Sequence, residues 1–383
     1  MVTRVQVPRA MLAWAADRAG KDVATLTAKF SKYPEWITGA SGPTFRQLES
    51  FAAYTHTPLG FLFLPEPPVE DVPIPDFRTF GSAGVPRPSP DLLETIYGCQ
   101  TRQEWYREYA QAEGFERLSW VGSVSVKTMP VRVATAISDS LGLGMDQRAK
   151  CPTRYAIRKY LIEAIEAIGG LVMVNGVVGT NTHRKLKPEE FRGFALSDPL
   201  APLVFVNGAD TAGAQVFTLI HELAHLWAGD TALSEASMTS NQGKSQEVWA
   251  NRVAAEVLVP ERELSRVYSG QVGQRELEGL SRYFKVSTLV ILRRVFDIGE
   301  LSWSDYQGAY SAEHQRILDV MTERQTGSGG SFYNTQVVRV GKSFARAVIS
   351  DAAEGRTLFR DAFALLGTRK TETYDGLARV VMA

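Results

Sequence analysis

The chain has 383 residues, 44% hydrophobic and 22% charged, with 42 Lys+Arg against 42 Asp+Glu. That length exceeds one ordinary hydrophobic core, so two or three domains are expected. Zero net charge excludes a global attraction to nucleic acid or to an acidic membrane surface, and the widely separated Cys99 and Cys151 exclude a disulfide framework and a Cys-based zinc site. Residues 1–19 lack the apolar stretch of a signal peptide, and no run of about 18 apolar residues follows. A cytoplasmic protein with reduced thiols and no membrane span is expected.

In chain order, residues 1–64 read as short helices. Met11, Leu12, Ala15 and Ala16 stand at helical spacing; Val23, Leu26 and Phe30 follow Asp22, a good N-cap residue; and a further helix over 44–55 carries Phe45, Leu48, Phe51 and Ala52. Residues 65–90 hold eight prolines, which remove backbone donors and favour extended chain, so they read as a connector. Ile74, Phe77 and Phe80 could dock it against a body.

Residues 91–310 read as the main domain. A long helix is expected over 91–113 and another over 154–168, stopped by Gly169-Gly170. The apolar, β-branched stretch 171–178 reads as a strand, as do 194–196 and 203–206. Helices over 212–228 and 245–258 follow, stopped by Gly229 and Pro260. The pattern is α+β, a small sheet covered by helices. After a Gly/Ser-rich linker at 325–331, residues 332–383 read as a helical C-terminal tail.

Chemistry concentrates in His221-Glu222-Leu-Ala-His225, an H-E-x-x-H inside a helical pattern. Positions i and i+4 share one helix face, so two imidazoles there can grip one Zn²⁺. Glu222 sits beside the first of them and suits a general base. Two surface histidines would give the same pattern. However, Val216, Phe217, Leu219, Ile220, Leu223, Leu226 and Trp227 make this helix apolar around the motif, and buried His and Glu are rare without a partner. Glu247, near the start of the next long helix, is the candidate third ligand. Asn251, one turn on, could orient a ligand from behind. Glu256 is a rival but lies more than two turns along the helix, and Thr231 stands where a third histidine would be needed for the metzincin arrangement. His183, in a polar loop, is a candidate donor to the transition state, and 203–206 a candidate edge that takes substrate as an added strand.

These residues carry a resemblance. His221-Glu-Leu-Ala-His225, Glu247-x-x-Ala-Asn251 and Ala254-Ala-Glu-Val-Leu-Val-Pro260, with Arg192-Gly-Phe-Ala and Pro202-Leu-Val-Phe-Val-Asn207 before them, resemble the ImmA/IrrE family of metallopeptidases over roughly 91–310. The resemblance implies a zincin-like core like that of thermolysin at the site. His221, His225 and Glu247 would be the zinc ligands and Glu222 the catalytic acid/base. It also implies an intracellular enzyme that cleaves a repressor or antitoxin encoded nearby, in transcriptional, toxin–antitoxin or stress control.

The helices of 8–64 resemble a divergent helix-turn-helix of the XRE type, which would place a helix in the major groove of DNA. Residues 1–70 hold seven basic against six acidic side chains, no electrostatic footprint for DNA. A module that docks on the peptidase or grips a partner fits that balance better, with Tyr33 and Trp36 as packing residues. A reading of another class stands beside the peptidase: a non-hydrolytic antitoxin-like or DNA-binding regulator with a vestigial or structural zinc.

Overall fold

The computed structural model describes residues 3–76, 88–234, 245–323 and 332–383. The chain divides into two units, Met1–Pro73 with Val85–Ile96, and Ile74–Gly84 with Tyr97–Ala383.

In the first unit, α1 (Arg9–Arg18), α2 (Val23–Lys29), α3 (Tyr33–Thr38) and α4 (Phe45–Tyr54) are followed by a 3-10 turn, Leu59–Phe63. Their ends are written locally. The Asp22 carboxylate accepts from the Thr25 N–H at 2.7 Å, and Thr44 and Gln47 form a reciprocal capping box at the head of α4. Leu12, Leu26, Leu48 and Phe51 close around Tyr33 and Trp36, which are 1% and 2% exposed, so both aromatics are packing residues. Arg18 holds Glu70 through two bonds of 2.5 and 2.8 Å, tying the end of the unit back to α1.

The long α5 (Pro90–Ala112) is followed by α6 (Pro130–Ser140), α7 (Met145–Ala149) and α8 (Arg154–Ala167). The strands come next: β1 (Leu171–Asn175), β2 (Val177–Val178), β3 (Asn181–Lys185), β4 (Gly193–Leu196) and β5 (Leu203–Asn207). Then follow α9 (Ala212–Ala228), β6 (Ala232–Ser234), α10 (Ser245–Leu258), α11 (Glu261–Val267), α12 (Gln274–Phe284), α13 (Thr288–Asp297) and α14 (Trp303–Glu323). The C-terminal helices are α15 (Phe332–Val340), α16 (Lys342–Ala353), α17 (Phe359–Leu365) and α18 (Thr371–Met382). The outcome is mixed α+β, a small sheet among many helices.

Four strands form one sheet in the order β1-β5-β4-β6, and β2 with β3 makes a separate two-stranded ribbon. β1 and β5 run parallel with Leu171 opposite Leu203, while β4 is antiparallel to both its neighbours. Every residue of β1 and β5 is buried, as continuous apolar strands covered on both faces should be. Helix α9 packs against β4 and β5 and is itself flanked by α8 and α10.

The expectation of 203–206 as a substrate-binding edge is corrected here. β5 lies between β1 and β4, and among the described residues the edges are β1 and β6. A run buried on both faces reads the same from sequence at an edge or in the middle. The polar loop expected around His183 is strand β3. The C-terminal helices pack onto β1 through α15, and a Cβ on Gly341 (φ 86°) would stand 2.8 Å from Val172 O, so backbone meets backbone along that edge. Ile74 is buried, whereas Phe77, Phe80 and the 325–331 linker lie outside the described residues.

Candidate metal centre

Helix α9 has apolar side chains on all sides, the composition of a helix enclosed by protein. Thr211 caps its start by accepting from the Ala214 N–H. Gly229 ends it in the left-handed conformation (φ 77°), which a residue with a Cβ adopts only at a cost. The Gly122 N–H donates to Leu226 O at 3.0 Å, and Trp120 stacks on Trp227 at 4.4 Å, so the last turn is held from outside as well. His221, Glu222 and His225 are each fully buried.

Glu247 comes from the first turn of α10, where a carboxylate suits the positive end of the helix dipole. The packing of α10 on α9 brings it to the imidazoles. Nε2 of His221 lies 3.3 Å from Glu247 Oε2, Nε2 of His225 lies 3.1 Å from Oε1, and the two Nε2 atoms are 3.2 Å apart. The three residues form a buried group whose ligating atoms could hold a metal ion. Bonds of 2.0–2.1 Å in a tetrahedral site give ligand separations of roughly 3.3–3.4 Å, so the donor set fits zinc in size as well as in chemistry. Three protein ligands rather than four leave a coordination position open, as in catalytic sites.

Burial disfavours a charged imidazole at His225 and lowers its pKa, against the hydrogen bond that the ring donates to Glu247. A neutral ring is the form that binds metal. Burial works against the charge on Glu247 too, but the neighbouring His221 and His225 outweigh it and hold the carboxyl below the usual range. Glu222 goes the other way. Burial pushes it well above the ordinary carboxylate value, the charge of Glu247 adds to this, and a hydrogen bond from Ser234 opposes it. A buried carboxylate with raised proton affinity is suited to taking up a proton.

Two neighbours shape the space around Glu222. Gly193 of β4 crosses α9 where a Cβ would meet Thr218 Cγ2 at 2.6 Å, Phe205 O at 2.7 Å and Glu222 Oε1 at 3.0 Å. Only glycine leaves the carboxylate that room. Ser234, the last residue of β6, is fully buried, and its hydroxyl lies 3.4 Å from Glu222 Oε2, 3.3 Å from Glu247 Oε1 and 3.5 Å from His225 Nε2. Sequence reasoning passed over Ser234, because a serine in a three-residue strand carries no motif. The signal available was its place shortly after H-E-x-x-H.

The other candidates separate. Asn251 follows Glu247 by one turn of α10, but its Oδ1 is buried with no hydrogen-bond partner among the described residues. Glu256 pairs with Arg294, whose Nε also donates to Val259 O, so the rival third ligand is engaged elsewhere. Thr231 accepts from the Ser197 N–H at 3.0 Å. His183 is exposed on β3, in the two-stranded ribbon rather than in the sheet above α9.

Residues 340–380 match a domain of unknown function, DUF8813. No curated protein and no solved structure gives a match. Residues 177–296, which contain β2 to β6, the H-E-x-x-H helix and Glu247, match the IrrE N-terminal-like domain of peptidase family M78, so this part of the chain carries an ImmA/IrrE-type peptidase domain.

Proposed function

We propose that this protein is a zinc-dependent endopeptidase that cleaves a repressor or antitoxin and so regulates transcription or a toxin–antitoxin or stress response. The observation that carries the reading is the buried His221–His225–Glu247 group with a separate buried carboxylate, Glu222, beside it in a peptidase-family domain. A zinc ion held by these three residues would supply Lewis acidity at the scissile carbonyl and toward the attacking water. Glu222 accepts the proton of that water and returns it to the leaving amine. Ser234 holds one carboxylate oxygen of Glu222 in place, and Gly193 gives the other its room. The enclosed site demands an extended, accessible segment of substrate, which makes the enzyme selective. A cytoplasmic setting accords with the two buried free cysteines, Cys99 and Cys151.

The test uses Glu222→Gln in the full chain. The variant should retain zinc, lose cleavage and capture the intact target, to be identified by mass spectrometry after affinity purification. Cleavage of the captured protein by Glu222→Gln at the wild-type rate would remove Glu222 from the mechanism.

One observation favours the rival, non-hydrolytic reading. Lys29, Lys32 and Arg46 line a hollow of the first unit beside Trp36, and no acidic partner of theirs is found among the described residues. That chemistry suits an anionic partner such as DNA. A mobility shift with duplex DNA that weakens steeply with salt would support it.

A further inference from the structure

The sheet has two edges and they are not alike. The β1 edge is closed by α15 and Gly341. The β6 edge borders the candidate metal centre directly, because Ser234 on this strand reaches Glu222, His225 and Glu247. Any extended peptide aligned along β6 therefore runs beside the groups that would cut it.

Three residues of β6, Ala232–Ser234, are among the described residues. Its middle residue, Leu233, pairs with Phe194 of β4 on one side and turns its N–H to the other. That N–H is not free. It donates to Pro75 O at 2.9 Å, and Asp76 forms a parallel bridge with Leu233. Ile74, the residue before, is buried and anchors the segment.

The sequence suits the task. Pro73 and Pro75 bias the chain around Ile74 to extended conformations before it pairs, which lowers the entropic cost of docking. A proline also has a carbonyl to offer and no N–H left wanting a partner. A peptide adding itself to a sheet edge needs the edge's outward N–H groups, and here that group is already taken.

We infer that the outer edge of β6 is the peptide-aligning edge of the site, and that Ile74–Asp76 of the same chain occupies it as an intramolecular competitor. The inference rests on the peptidase reading above for what the edge serves, and on the Leu233–Pro75 pairing alone for its occupancy. Substrate then gains the edge only when the segment leaves, so cleavage is limited by the population of the released form.

The experiment measures amide exchange at Leu233 in the full-length protein, with Val204 of the central strand as internal reference. Pro75→Gly and Ile74→Ser are compared with wild type. Pro75 is exposed, so its variant leaves the core intact even if Ile74→Ser fails to fold. Leu233 should be protected in wild type and exchange faster by roughly tenfold or more in Pro75→Gly, with Val204 unchanged, since pairing that is lost locally leaves the global fold in place. A synthetic peptide of residues 70–76, added to Pro75→Gly, should restore the protection. Equal exchange at Leu233 in wild type and Pro75→Gly would overturn the occupancy, and failure of the peptide to restore protection would overturn the peptide-aligning edge. Neither readout depends on zinc or on cleavage. If the occupancy is upheld while Glu222→Gln proves the hydrolytic reading wrong, the two failures remain separate.

Discussion

The Ser234 hydroxyl stands 3.4 Å from Glu222 Oε2 and is the one side-chain donor reaching that fully buried carboxylate among the described residues. The contact is long for a hydrogen bond, so its contribution is modest. Ser234→Ala should keep full zinc occupancy and slow cleavage roughly three- to tenfold, the effect of losing about 1 kcal/mol. Cleavage rates of the captured target, measured beside metal content, decide it. Loss of zinc in this variant would instead make Ser234 part of the metal site.

Glu247 and Glu256 give opposite expectations on one helix. Glu247→Ala removes the carboxylate facing both imidazoles and should take bound zinc from about one per chain to well below half, by elemental mass spectrometry. Glu256→Ala should leave zinc content untouched, because Glu256 faces Arg294. Full occupancy in both variants would move the third ligand away from Glu247.

Gly193 predicts a stability effect coupled to the site. Gly193→Ala places a methyl against Thr218, the Phe205 carbonyl and Glu222. Backbone at Phe205 cannot yield as a flexible side chain does, so the variant should lose roughly 1–3 kcal/mol in denaturant unfolding. An unchanged midpoint and slope would show that β4 and α9 separate easily here.

Zinc removal should be visible without any substrate. Three buried candidate ligands from two helices would bind the ion only in the folded state, so zinc at hundredfold excess over its Kd should add roughly 2.7 kcal/mol of stability. A thermal midpoint that falls with chelator and returns with zinc in wild type, and does neither in Glu247→Ala, is the expected pattern. Identical behaviour of the two proteins would separate the metal from Glu247.

Much of this was readable in the residues. The apolar periodicity around His221 and His225 required a buried helix, and Gly229 set its end at the residue the structure shows. Asp22, read as an N-cap, set the start of α2. Such features are local, depending on side chains within a turn of one another. The polar β3 was not legible, since its exposed side chains give no alternation of apolar and polar faces. Nor was β6, whose three described residues are too few for any pattern.

What the sequence determined by itself was the identity of the helix that carries the candidate metal ligands His221 and His225, the position of Glu222 on it and the α+β character of the chain. These follow from spacing and burial pattern. The tertiary structure alone decided that Glu256 is engaged by Arg294, that β5 is interior, and that Ser234, Gly193 and Pro75 gather around the same corner. Each of those depends on which surfaces pack together, and close packing fixes such contacts between residues far apart in the chain, where no local spacing records them.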